Sequence, residues 1–187
     1  MQASSWRLRY AAYLLRYGGV VAYPTEAVFG LGCDPLDKFA VERLLRLKAR
    51  PLAKGLILIG SRFEQLLPFV GPLASDIRER VQHSWPGPVT WLLPAAAGLP
   101  DWLRGEHDTI AVRVTAHPLA SALCSAFDGA LVSTSANPSG LPPARDPLTV
   151  RRYFGEGVDY VLHGTVDKHR KPTEIRDAQT DRVIRNA

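Results

Sequence analysis

Two polar clusters stand out as groups able to do chemistry. Lys48, Arg50 and Lys54 place three cations within seven residues around Pro51, and Ser133, Thr134, Ser135 and Asn137 follow an apolar run far downstream. Unpaired ammonium and guanidinium groups resist burial. Converging at the mouth of a fold, they suit a ligand with several anionic oxygens, such as a polyphosphate, which a guanidinium grips bidentately and an ammonium meets as a point charge. Hydroxyls, an amide and free backbone N–H groups at the carboxyl end of a strand also hold phosphate or carboxylate oxygens, and open α/β sheets bind ligands there. Each cluster has a plainer reading. The cations can sit as a solvated helix end facing the dipole, and the Ser/Asn run can be an ordinary turn.

Other residues join the candidates one by one. In the alternating run Thr109–Val114, Ile110, Val112 and Val114 share one face while Thr109, Ala111 and Arg113 share the other. Arg113 is either an exposed arginine or, among small neighbours, a clamp for a carboxylate. Thr25, in Tyr23-Pro24-Thr25-Glu26-Ala27, offers a hydroxyl where a first strand ends. Thr173 and Arg185 flank short strands near the C-terminus, and Lys168-His169-Arg170-Lys171 is either a solvated loop or a phosphate contact for RNA.

These groups need a scaffold, and the pattern supplies one. An amphipathic helix to about Tyr17 is broken by Gly18-Gly19 and followed by a strand over Val20–Tyr23 that Pro24 stops. A helix over Ala40–Leu47 ends at Arg50-Pro51, because the residue before proline is pushed out of the helical region. Leu56–Ile59 reads as a buried strand, Pro72–His83 as a helix, Val89–Leu93 and Ile110–Val114 as strands, and His117–Phe127 as a helix. Ala130–Val132 is a strand running into the Ser/Thr/Asn loop; a helix near Val150–Phe154 and short strands around Tyr160 and Ile175 follow. Alternating helices and strands with crowded strand signals near the end predict an α/β fold whose sheet is not purely parallel.

The bulk properties bound the rest. At 187 residues with 46% hydrophobic content, the chain reads as one domain over 1–187 with a proper core. The net charge of +5 favours anionic partners such as nucleotides or RNA. Cys33 and Cys124 form no C-x-x-C pair, which argues against a zinc site and a disulfide framework and for a reducing cytoplasm. No signal-peptide core or apolar run of membrane-spanning length appears, so no membrane partner is expected. Gly55–Ser61 has P-loop glycine spacing without its lysine, Gly30-Leu31-Gly32 lacks the third glycine of a dinucleotide fingerprint, and neither a G-x-S-x-G elbow nor an H-x-x-x-H pair occurs. Any catalysis must therefore work by positioning and charge.

Six ordered motifs together resemble the YrdC/TsaC family in its short, single-domain form. They are Tyr23-Pro24-Thr25-Glu26-Ala27-Val28-Phe29-Gly30-Leu31-Gly32, Lys48-x-Arg50-Pro51-x-x-Lys54, Trp85-Pro86-Gly87-Pro88-Val89-Thr90, Ala111–Val114 with His117-Pro118, Ser133-Thr134-Ser135-Ala136-Asn137, and Pro172–Asp177. The resemblance implies a single YrdC-like domain, a twisted mixed parallel/antiparallel sheet with flanking helices and a basic concave face. It also implies threonylcarbamoyl-AMP synthase activity, in which L-threonine, bicarbonate or CO2 and ATP give threonylcarbamoyl-AMP and pyrophosphate, for N6-threonylcarbamoyladenosine in tRNAs reading ANN codons. Carried over by position, Arg50, Lys54, Thr109, Ser135, Asn137 and Arg185 would bind ATP, and Thr25, Arg113, Ser133 and Thr173 would surround threonine. Lys48 and Arg50, with Mg2+ carried by ATP and not by the protein, would stabilise the phosphate charge. Implied partners are tRNA or another RNA on the basic face and the proteins of the threonylcarbamoyl-transfer machinery. Ala27 and Glu174 stand where relatives often carry threonine, and Gly55 where proline is frequent. Two other readings stay open: a non-catalytic RNA-binding or ribosome-maturation module, and a paralogue with a different carbamoyl acceptor.

Overall fold

Helix α1 (Ser5–Arg16) buries Ala11, Ala12 and Leu15, a stripe that recurs at helical spacing and seats the helix on the sheet. The computed structural model describes residues 4–167 and 173–186. Gly18, at φ +77°, closes α1 and turns the chain into β1 (Val21–Pro24), which forms a hairpin with β2 (Phe29–Gly32). Helix α2 (Lys38–Lys48) starts at Asp37, whose carboxylate accepts the Ala40 N–H. It ends in a Schellman arrangement: Ala49 adopts φ +48°, its N–H donates to Arg46 O and the Arg50 N–H to Leu45 O.

After a 3-10 turn at Leu52–Lys54 come β3 (Ile57–Gly60), α3 (Ser75–His83), β4 (Val89–Pro94), a short α4 (Asp101–Arg104) and β5 (Thr109–Val114). Helix α5 (Pro118–Phe127) is capped by the His117 ring, with Pro118 at its first position. Then β6 (Leu131–Ser135), α6 (Pro147–Phe154), β7 (Tyr160–Val161), β8 (Glu174–Asp177) and β9 (Val183–Arg185) complete the chain.

Among the described residues the strands form one nine-stranded sheet in the order β7-β1-β2-β6-β3-β5-β4-β8-β9. Pairs β1–β7, β3–β5 and β4–β8 are parallel and the others antiparallel, so the sheet is mixed. One face packs Leu58, Val112 and Val132 against α2 through Val41 and Leu44. On the other, Tyr23, Ile59 and Leu131 meet Ala11 and Leu15 of α1 and Ala120 and Leu123 of α5.

The sequence-based elements are present; α4 and β9 are found in addition, and three other differences stand out. Strand β2 lies in a segment whose glycines hide its pattern; they are there because the Tyr23 ring lies across it. A Cβ on Gly32 would come within 2.8 Å of that ring and 2.5 Å of Val132 O. The helix expected from Pro72 begins at Ser75, and β6 continues through Ser135 where a loop was expected from Ser133. No described helix is long and apolar enough to cross a membrane.

Candidate active site

Along β6, the face that carries Leu131 carries Ser133 and Ser135 next, because alternate residues share a face. The change from leucine to serine marks where the cover of α1 and α5 ends. Ser133 pairs with Ile57 of β3, Ile57 with Ala111 of β5, and Ser135 with Gly30 of β2. Over this uncovered half of the sheet lies a cavity of about 330 Å3, a size typical of small-molecule sites. Its walls bring together Thr25, Arg50, Arg113, Ser133, Ser135, Thr173 and Arg185 with apolar Ala27, Val28, Leu56 and Pro143.

Arg113 lies in the floor and is only 4% exposed. Its Nη1 donates to Thr90 Oγ1 at 3.0 Å and to Thr173 Oγ1 at 2.9 Å, and its Nη2 stands 3.5 Å from Glu26 Oε2. Glu26 is 3% exposed and accepts at Oε1 from the Thr115 hydroxyl (2.7 Å) and the Ala116 N–H (3.2 Å). Burial alone would raise its pKa; the Arg113 charge and these hydrogen bonds outweigh burial and hold it below the ordinary carboxylate value. Arg113 is thus a buried cation with one counter-ion, and its Nε has no partner among the described residues.

The 48–54 cluster divides. Only Arg50 of its three cations lines the cavity; its Nη2 donates to Gly55 O at 3.0 Å, and its buried Nε is unpartnered among the described residues. Lys48, 4% exposed, turns inward and donates to Ser135 O and, at 2.8 Å, to Asn137 O. Burial, then the Arg50 charge, pushes its pKa down to about 8. Lys54 is exposed on the 3-10 turn, and neither it nor Thr109 is a cavity-lining residue. The expected meeting of three cations at one sheet edge is therefore a meeting of Arg50 with Arg113 and Arg185, two arginines from distant strands. Loss of hydration, then Arg113 and Arg50, lowers the pKa of the Arg185 guanidinium. Arg185 Nη2 donates to Thr173 O at 2.7 Å, which ties β9 to the segment before β8.

The hydroxyl groups divide too. Thr25 Oγ1 donates to Val28 O at 2.6 Å inside the β1–β2 turn, leaving its lone pairs to the cavity. Ser133, beside Tyr23, and Ser135 present hydroxyls from the strand itself. Asn137 is outside the lining; its Nδ2 donates to Pro138 O and Leu141 O, bracing the loop that carries Pro143. The basic run 168–171 lies outside the described residues. Sequence reasoning passed over Glu26, Thr90 and Thr115 as working residues. The signal was a carboxylate in the Pro24-Thr25-Glu26 segment and an arginine in mid-strand, which need each other to be buried.

The Sua5/YciO/YrdC family model, described as telomere recombination, matches residues 13–187. A protein of Nitrosococcus oceani named threonylcarbamoyl-AMP synthase is 56% identical over 185 residues, covering 99% of this chain and 100% of its own. One of the same name from Halorhodospira halophila is 56% identical over 180 residues, 96% of this chain and 94% of that one. The crystal structure of P. abyssi Sua5 complexed with L-threonine superposes with a TM-score of 0.89 at 32% identity, covering 95% of this chain. This chain spans 52% of that protein, about half its length. Identity at this level along nearly the whole length of its relatives shows that the chain belongs to the Sua5/YciO/YrdC family.

Proposed function

We propose that this protein is a threonylcarbamoyl-AMP synthase, which condenses L-threonine, CO2 or bicarbonate and ATP to threonylcarbamoyl-AMP with release of pyrophosphate. The carrying observation is the cavity's charge: among the described residues, three guanidinium groups and several hydroxyls converge on it, no carboxylate lines it, and two buried guanidinium Nε–H groups lack a protein partner. Unsatisfied buried donors of this kind await an anionic ligand. The names of the Nitrosococcus and Halorhodospira relatives, and the threonine bound to P. abyssi Sua5, support the same choice.

In this reading Arg113, held by Glu26, Thr90 and Thr173, grips the threonine carboxylate, and Thr25 and Ser133 orient the amino acid. The threonine amine adds to CO2, releasing one proton and giving a carbamate. A carbamate oxygen attacks the α-phosphorus of ATP, the bond to the β-phosphate oxygen breaks, and pyrophosphate leaves. Arg50 and Arg185 neutralise phosphate charge as it redistributes, and Ser135 donates to a phosphate oxygen. Lys48 serves the step by fixing the carbonyls of Ser135 and Asn137. With no carboxylate among the described lining residues, the donor set fits a Mg2+ held by the triphosphate oxygens and not by the chain. The arrangement works by binding together three reactants and spreading charge, without a covalent nucleophile.

The test supplies ATP, Mg2+, labelled bicarbonate and threonine and follows pyrophosphate together with label in an adenylate. Threonine- and bicarbonate-dependent release of both is expected. Pyrophosphate release indifferent to threonine would overturn the assignment, and equal turnover with serine and other amino acids would favour a different acceptor.

A further inference from the structure

Outside the lining of the cavity, α1 carries an aromatic ladder on the side opposite its buried stripe. Trp6, Tyr10, Tyr13 and Tyr17 recur at helical spacing and are 60%, 39%, 52% and 76% exposed. A surface helix normally shows charged and polar residues there. The rings are organised: Trp6 stacks on Tyr10 with centroids 5.3 Å apart and planes 3° from parallel, Tyr13 leans on Tyr17 at 4.6 Å, and Tyr10 meets Tyr160 of β7 edge-on.

Beside the ladder lies a shallow cleft of about 600 Å3 between α1, the end of α6 and β7, lined by Trp6, Arg7, Tyr160, Arg151 and His163. Arg151 Nη2 lies 2.8 Å from His163 Nε2. The acid in this lining, Asp159, is neutralised, its carboxylate accepting from Arg43 and the Val20 N–H at 2.7 Å each. Helix α1 has no acidic residue, while Arg7 and Arg9 are exposed along it.

We propose that the α1 ladder and this cleft form a docking surface for a single-stranded nucleic acid segment, distinct from the nucleotide cavity. A base continues the Trp6–Tyr10 stack on the side that opens to the cleft, and the adjoining phosphates meet Arg7 and Arg151. Aromatic platforms beside a cationic groove are how sequence-tolerant single-strand binding works: stacking holds the bases and cations track the backbone. Complementarity excludes a second copy of this chain as the occupant, since pairing two acid-free, arginine-bearing ridges brings like charges together. A concave cleft admits a phosphodiester chain that a planar bilayer cannot enter.

The test measures fluorescence anisotropy of a labelled 12-residue oligouridylate with the full-length protein at rising salt, alongside a vesicle of anionic phosphatidylglycerol. Binding that weakens with salt, survives excess ATP and threonine, and falls about 5- to 100-fold in Trp6→Ala is expected. Arg151→Gln should reduce the salt slope by about one. Adenylate formation in Trp6→Ala should stay at the wild-type rate, so this test and that of the synthase reading fail independently. Unchanged affinity in Trp6→Ala, displacement of the oligonucleotide by ATP, no binding at low salt, or binding to vesicles alone would each overturn the proposal.

Discussion

Arg113 Nη2, in the floor of the cavity, faces Glu26 Oε2 behind the lining across 3.5 Å, both side chains almost wholly withdrawn from water. The pair lets a cation sit where it can hold a ligand, and it makes stability and ligand binding depend on the same two residues.

Removing one partner of such a pair is costly. Glu26→Ala should destabilise the fold by about 3–5 kcal/mol in urea unfolding, because it leaves a buried guanidinium without a counter-ion. Combining it with Arg113→Met should recover part of that loss. A single-variant cost under about 1 kcal/mol would show that water already reaches the guanidinium.

The same carboxylate sets an acid limit. Its folded-state pKa lies below the ordinary 4.5, so the folded chain binds fewer protons than the unfolded chain. Its stabilisation is therefore present above about pH 4.5 and is lost as pH falls through the lower folded value. Glu26→Gln should flatten the acid limb of a pH–stability curve.

Lys48 behaves as a positioning residue. Lys48→Met strands the carbonyls of Ser135 and Asn137 and should cost about 2–4 kcal/mol, with the Ser133–Asn137 segment losing amide-exchange protection. Because the folded pKa is about 8 against an ordinary 10.5, the folded chain binds fewer protons between those values, so this group's contribution improves as pH rises. The stability gap between wild type and Lys48→Met should be wider at pH 9.5 than at pH 7.5.

Arg50 should matter to turnover more than to folding. Arg50→Ala removes one hydrogen bond, to Gly55 O, and a charge facing the cavity. A loss of about 2–4 kcal/mol of transition-state stabilisation, roughly 30- to 1,000-fold in turnover, is expected in the pyrophosphate assay. Turnover within a few-fold of wild type would remove Arg50 from the chemistry.

Gly32 tests the hairpin that seats Tyr23. Gly32→Ala drives a methyl into Val132 O and the tyrosine ring and should cost about 1–3 kcal/mol, whereas Gly30→Ala, whose nearest neighbours are 3.3–3.4 Å away, should cost less. Thermal unfolding of both variants decides it.

Much of this was legible in the residues. Apolar periodicity placed most helices and strands, since burial selects those residues directly. Arg50, Arg113, Ser133 and Ser135 stood out because polar groups interrupt apolar runs. The direction of a side chain at a helix end was not legible. Ala49 in a left-handed conformation carries Arg50 toward the cavity while Lys48, two residues before it, points into the β6 loop. Nor was the partnership of Glu26 with Arg113 and Thr115, nearly ninety residues away, visible until the sheet brought them together.

Strand β9 contributes Arg185 to the cavity, and the segment before β8 contributes Thr173. During synthesis on the ribosome, this wall of the cavity is thus delivered only after residues 173–185 have emerged, long after Thr25 and Arg50. A nascent chain arrested short of these strands can bury Leu58, Val112 and Val132 but has no complete place for an anion. Ligand-dependent protection from proteases should accordingly require residues 173–185 and be absent from fragments that lack them.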